Sequence, residues 1–211
     1  MKKFELTNEF ITNMFGTKLF RIRALVEFGD VEAGELGGYV EKESNLGHDD
    51  NAWVYDNAWV YGDAQVSGDA LVYDNARVYG NARVYGDAQV SGNALVYDNA
   101  WVYDNAWVYG NAQVSGDALV CGDARVCGNG DYAYAHGFGS VNRTTTFFRL
   151  KDGGVGVRCG CFYGTLAQFR DKIRETHGET KKAQEYLMLA DLMELRFEED
   201  ENEVGNRKYV E

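Results

Sequence analysis

Residues 51–74 read NAWVYDNAWVYGDAQVSGDALVYD, four hexads in a row, and the pattern continues without insertion through thirteen hexads to Cys127 and Gly128. Valine recurs at every sixth position from Val54 to Val126, and alanine from Ala52 to Ala124. Within a hexad the two stand two residues apart, so on an extended chain they point to the same side. The remaining pair is Gly or Asp followed by Asn or Asp, residues that tolerate left-handed turns. Each hexad therefore predicts a short strand, Ala-x-Val-x, and a two-residue corner.

A strand this short cannot satisfy its own backbone groups. Stacking successive coils supplies partners through parallel ladders at about 4.8 Å spacing. Three six-residue sides close a triangle of 18 residues, so thirteen hexads give a little over four coils, roughly 20 Å of prism. A large aliphatic residue with a small one four positions later, as in Val54 and Ala58, resembles the hexapeptide pattern of left-handed β-helix proteins. That resemblance implies a left-handed parallel β-helix, an exception to the usual right-handed crossover. The register extends upstream, where Gly38 and Val40, then Ser44 and Leu46, fit the small and large slots. A two-residue insertion near His48 and Asp49 then shifts the frame. Downstream, Tyr132 and Phe138 fall in valine slots, and Gly130 and His136 in alanine slots.

Both ends carry different patterns. KFELT and KLFRIRAL flank a turn at Phe15 and Gly16 and predict strands that cover the open edge of the first coil. After the repeats, TTTFFRL, KDGG and VGVRCGCF predict a hairpin, with Val155, Val157, Cys159 and Cys161 on one face. Thr165 and Gln168 form a capping box opening a helix that presents Leu166, Phe169 and Ile173 and ends at His177 and Gly178. A second helix is expected from Lys181 to Phe197, apolar at Ala183, Tyr186, Leu187, Ala190, Met193 and Phe197, before a charged, loose tail. The expected fold is thus mainly β: an N-terminal β cap over 1–35, a left-handed β-helix over 36–140 with regular hexads at 51–127, and an α+β module over 141–211.

The net charge of −12 and pI near 4.7 speak against direct binding to nucleic acid or an anionic membrane surface, either of which wants clustered Lys and Arg. The N-terminus lacks the apolar run of a signal peptide, so the expected location is the cytosol. There Cys121, Cys127, Cys159 and Cys161 read as free thiols.

The segment GELGGYVEKESNL at 34–46, followed by NAWVYDNAWVYGDA, resembles the YdcK-like hexapeptide-repeat proteins of bacteria and their phages. RTTTFFRLKDGGVGVRCGCFYGT and ETHGETKKAQEYL are similar to the tail attached to many phage-encoded members. The resemblance implies the β-helix and, for a phage-encoded chain, a place in the host cytosol; it carries over no functional residue.

Catalysis finds little support in the residues. Acyl transfer, frequent among hexapeptide-repeat enzymes and the alternative reading, needs a general base in a cleft, usually walled by a loop from the prism. No hexad contains histidine, and none is interrupted by a loop. Three convergent histidines would make a zinc site, but His48, His136 and His177 lie in three separate regions. His136 is expected to be partly buried beneath the cap. No catalytic residue, metal or cofactor is therefore assigned.

The outward positions remain. Those after valine hold eight tyrosines, three serines and two cysteines, and those before it hold all four tryptophans, so the flanks are aromatic enough to form a recognition surface. The 18-residue columns place Tyr55, Tyr73 and Tyr109 on one face, together with Trp53 and Trp107, and put Trp59 and Trp101 on the other two. Corner aspartates such as Asp56, Asp74 and Asp104 make acidic edges. The expected function is a non-enzymatic binding or scaffold protein that engages a protein partner through these residues and the C-terminal module. Its sharper form is an inhibitor of a host nucleic-acid enzyme by acidic mimicry. A homo-oligomer is compatible with the same surface.

Overall fold

The computed structural model describes residues 2–139 and 142–198. The loose tail expected at the C-terminus lies almost wholly outside them.

Chain order is β1 (Phe4–Thr12), β2 (Lys18–Ala24), β3 (Leu36–Val40), then thirteen two-residue strands from β4 (Trp53–Val54) to β16 (Arg125–Val126), one per hexad. The strands fall into three parallel ladders with an 18-residue period: Val54 pairs with Val72, Val60 with Val78 and Val66 with Val84. Every repeat alanine is fully buried, and so is every repeat valine but Val66, at 1%. The interior is thus an apolar column with a narrow layer of Ala and Val in each coil. We call the three sides flank A (β5, β8, β11, β14), flank C (β6, β9, β12, β15) and flank D (β4, β7, β10, β13, β16).

The corners are left-handed where the sequence alternates Gly with Asp. Asp56, Asp74, Asp98 and Asp104 have φ of 52–59°, and Gly62, Gly68, Gly80 and Gly86 occupy the equivalent place at 70–73°. At three of these four aspartates, Asp56, Asp74 and Asp98, the side chain accepts a backbone N–H from the next coil. Asp56 and Asp74 each accept the backbone N–H one coil on, from Asp74 and Gly92, at 3.3 and 2.9 Å. The Asn positions form ladders of the same period, Asn81 donating to Asn99 and Asn99 to Asp117, both at 3.0 Å.

The upstream coil confirms the two-residue insertion. Val40 pairs with Val60 and Leu46 bridges Val66, each 20 residues on rather than 18. Gly38 fills the small slot, where a Cβ would stand 2.7 Å from the Ala58 carbonyl. Ser44 does not take the next one. A 3-10 turn at Glu43–Asn45 buries Asn45, whose side-chain amide donates to the carbonyls of Gly62 and Ala64 at 3.0 and 2.8 Å, replacing ladder bonds. β1 and β2 form the expected antiparallel hairpin and β2 pairs with β3, extending flank A over the end of the prism. Lys3 closes the same end: its buried ammonium donates to the carbonyls of Asp50 and Ala52, at 3.1 and 2.9 Å.

The expected further coil at 130–138 is not formed. β17 (Tyr132–Phe138) leaves the prism and pairs antiparallel with β18 (Arg143–Arg149), which continues to β19 (Val155–Cys159) and β20 (Phe162–Thr165). The solenoid ladder ends at Val126. His136, expected inside, is exposed, with Nδ1 2.9 Å from the Thr144 hydroxyl. Cys161 sits exposed in the β19–β20 turn rather than on the face of Val155, Val157 and Cys159.

α1 (Leu166–His177) and α2 (Lys181–Phe197) have the expected bounds, the first opened by the Thr165–Gln168 capping box. β18 is buried on both faces. Phe148 joins the solenoid core, while its neighbour Phe147 joins the helix core of Phe169, Ile173 and Tyr186. Thr146 accepts the Leu119 N–H at 2.9 Å, and Leu150 bridges Ala124, so the sheet lies between the last coil and the helices.

Candidate functional site

The four tryptophans share one local sequence but meet different surroundings. Trp53, expected on the surface, is fully buried. The N-terminal cap covers it: Phe28 and Phe4 lie edge-on at 5.3 and 6.2 Å, and Gly37 leaves room where a Cβ would sit 2.8 Å from the indole. It is a packing anchor, and it leaves the set of surface candidates. Trp59, Trp101 and Trp107 are half-buried. Each carries an arginine from an adjacent coil on its face: Arg77 from the next coil over Trp59 at 4.2 Å, Arg83 from the preceding coil over Trp101 at 5.2 Å, and Arg125 from the next coil over Trp107 at 5.7 Å.

The tyrosine columns stack as rungs. Tyr61, Tyr79 and Tyr97 lie face to face along flank A at 5.0 and 5.1 Å, within 5° of parallel. Tyr85 and Tyr103 repeat this on flank C at 5.0 Å. Flank D lacks such a stack: Tyr73 donates to the Gln89 side chain at 3.2 Å, Trp107 donates to Ser91 at 3.2 Å, and Tyr109 leans on Trp107 at 5.0 Å.

The flanks are not equally free. The C-terminal sheet covers the far end of flank C, burying Tyr103 and Cys121 and laying Arg158 over the Tyr103 ring at 5.9 Å. Burial pushes the Cys121 thiol up, so it is poorly nucleophilic. Flanks A and D keep their outward residues half-buried or exposed past the N-terminal cap, except Ser91, which Trp107 covers.

Aspartates are unevenly placed on the three corners. Asp56 and Asp74 lie between flanks D and A, engaged with backbone N–H groups as described. Asp63, Asp98 and Asp117 lie between A and C, where Asp63 pairs with Lys42 at 2.8 Å. The corner between C and D holds Asp50, Asp69, Asp87, Asp104 and Asp123, all exposed, one for each coil. At about 4.8 Å per coil, that is a continuous acidic edge along one side of flank D, with Tyr73 and Tyr109 at the other side of that flank, next to Asp74 and Gly110. Asp69 accepts from the Asn51 amide at 2.7 Å. None of the five forms an ion pair within 4 Å among the described residues. The signal in the sequence is the spacing of these five, 17 to 19 residues apart, which brings each to the same two-residue corner one coil on.

Ionisation of the tyrosines ties the surface to stability. Burial raises the phenols of Tyr55, Tyr61, Tyr79, Tyr85, Tyr103 and Tyr109 above their ordinary value of 10. A group raised in the folded state contributes stability that is complete below the unfolded value and is lost as pH climbs past it. Lys3 acts oppositely: burial lowers it to about 8 against attraction from Asp50, Asp49 and Asp69, so its contribution grows with pH between about 8 and 10.5. Six raised phenols outweigh one lowered ammonium, so thermal melts are expected to fall steeply above about pH 10. Tyr79→Phe should make the fall shallower; a flat profile from pH 10 to 11 would contradict this reading.

Among the described residues no group of His, Cys, Asp and Glu converges as a metal site, and no helix is long and apolar enough to cross a membrane. In comparison with known families, residues 64–77, 76–89, 88–104, 100–116 and 112–128 each match the YdcK beta solenoid repeat. No curated protein matches the chain.

Proposed function

We propose that this protein, whose solenoid carries YdcK beta solenoid repeats, is a non-enzymatic binding scaffold. It engages a basic protein partner along the acidic edge between flanks C and D, with Trp107, Tyr73 and Tyr109 as anchors across the adjoining flank D. The observation that carries this reading is the fate of the solenoid arginines. Arg77, Arg83 and Arg125 all lie on tryptophan faces, and none of them pairs with a corner aspartate. Lys3 faces only the Asp50–Asp69 end of the edge, and a row of like charges on a low-dielectric prism attracts and orients a cationic partner. Half-buried Trp and Tyr beside it supply the rigid contact area typical of energetic anchors.

In its sharper form the chain is phage-encoded, acts in the host cytosol, and inhibits a nucleic-acid enzyme. The carboxylates then stand in for backbone phosphates, which recur on each strand about every 3.4 Å of duplex axis. Affinity purification from bacterial lysate with mass spectrometry tests the reading. The expected result is a specific protein captured by the wild type and lost from both the D69K/D87K/D104K variant and Trp107→Ala. No specific capture, or capture unchanged by charge reversal, would overturn it.

A further inference from the structure

The C-terminal module contains a cavity of about 260 Å³ between the β19–β20 turn and the second half of α1. Its inner wall is aromatic. Phe162 and Phe169 lie 5.4 Å apart, and Phe169 meets Tyr186 edge-on at 5.8 Å. Tyr186 is held in place by its hydroxyl, which donates to the Phe138 carbonyl at 3.3 Å. The polar rim is basic: Arg143, Lys172 and His177 line it, and no carboxylate does. This is unexpected in a chain of net charge −12.

The two long basic residues differ. Lys172 pairs with Glu175 at 2.8 Å, one turn along its own helix. Arg143 is exposed, and its side chain makes no ion pair or hydrogen bond among the described residues. Its guanidinium lies against Gly160, where any side chain would displace it. A planar donor fork at the mouth of an aromatic slot suits a planar anion with an apolar body. The volume lies just under the range that holds drug-sized ligands, so a single or fused ring fits.

We propose that this cavity binds a small aromatic carboxylate, its ring against Phe162, Phe169 and Tyr186 and its carboxylate on Arg143. The site is separate from the acidic edge, and its occupancy does not depend on the scaffold reading.

Calorimetric titration of the full chain with indole-3-carboxylate tests it, with indole as the neutral control. Saturable binding is expected for the carboxylate, weakened roughly ten-fold by Arg143→Gln, the scale of one charge-assisted hydrogen bond. Arg143 is exposed, so the variant should fold, and an unchanged circular dichroism melt will confirm that. As a second readout, the bound carboxylate should slow alkylation of Cys161 by iodoacetamide, scored by peptide mass spectrometry while exposed Cys127 serves as internal reference. Absence of saturable binding, equal affinity for indole, or equal affinity in Arg143→Gln would each overturn the proposal.

Discussion

Trp53→Ala is expected to destabilise the protein by about 3–5 kcal/mol, the range for removing a large buried aromatic. The indole fills the space between the first coil and the cap, touching Phe4 and Phe28. Without it the β1–β2 hairpin has no floor, and the open edge of the prism becomes available for pairing with other chains. Because a solenoid is held mainly by neighbouring coils, the loss should begin at the N-terminal end. Hydrogen exchange should quicken in β1–β3 while β10–β15 remain protected. Trp53→Phe should cost less, because the Trp53 Nε1 is buried with no acceptor and its removal relieves an unsatisfied donor. Trp107→Ala, on a half-buried residue of identical local sequence, should cost far less. Equal losses for Trp53→Ala and Trp107→Ala in denaturant titrations would contradict the packing described.

Val90→Asp should be more damaging still, with a loss above about 4 kcal/mol or no cooperative fold at all. Val90 is fully buried, stacked between Val72 and Val108 in the flank D ladder. A carboxylate there would have no cation and no polar partner in a column made of alanine and valine. Gln65→Asp, at an exposed outward position, is the matched control and should change stability by no more than roughly 0.5 kcal/mol. A folded Val90→Asp protein with wild-type melting would refute the assignment of inward and outward positions.

That assignment was fully legible in the sequence, because a period of six with Ala and Val two apart leaves one solution once coils stack. The two-residue insertion before the repeats was legible for the same reason, and so were the α1 and α2 bounds, where Thr165, Gln168 and Gly178 supply local capping signals. Burial of Trp53 was not. NAWVYD at 51–56 and 99–104 are the same hexad, and only the covering hairpin makes their tryptophans different. The false coil at 130–138 has another cause. Tyr132 and Phe138 keep the spacing, but the left-handed corner slot between them holds Tyr134, where every earlier coil has Gly or Asp. Corner chemistry therefore marks the end of the solenoid more faithfully than the spacing of large residues.

The acidic edge shows the same limit in reverse. Composition revealed many aspartates, yet their meaning depends on the column each occupies and on what its neighbours do with their charge. Asp56 and Asp74 hold the backbone of the next coil, whereas Asp87 and Asp104 are exposed on an edge and form no ion pair within 4 Å among the described residues. The cavity of the C-terminal module could not be foreseen at all, since Arg143, Phe162, Phe169 and Tyr186 come from four elements with no common spacing.

The most direct test of the scaffold reading is the dissociation constant of the complex with the captured partner, measured between low and high salt. Binding along a carboxylate row predicts a steep weakening as salt rises, and a D69K/D87K/D104K variant that binds weakly throughout. A constant that is insensitive to salt and equal for the wild type and the charge-reversed variant would show that the edge is not the binding surface.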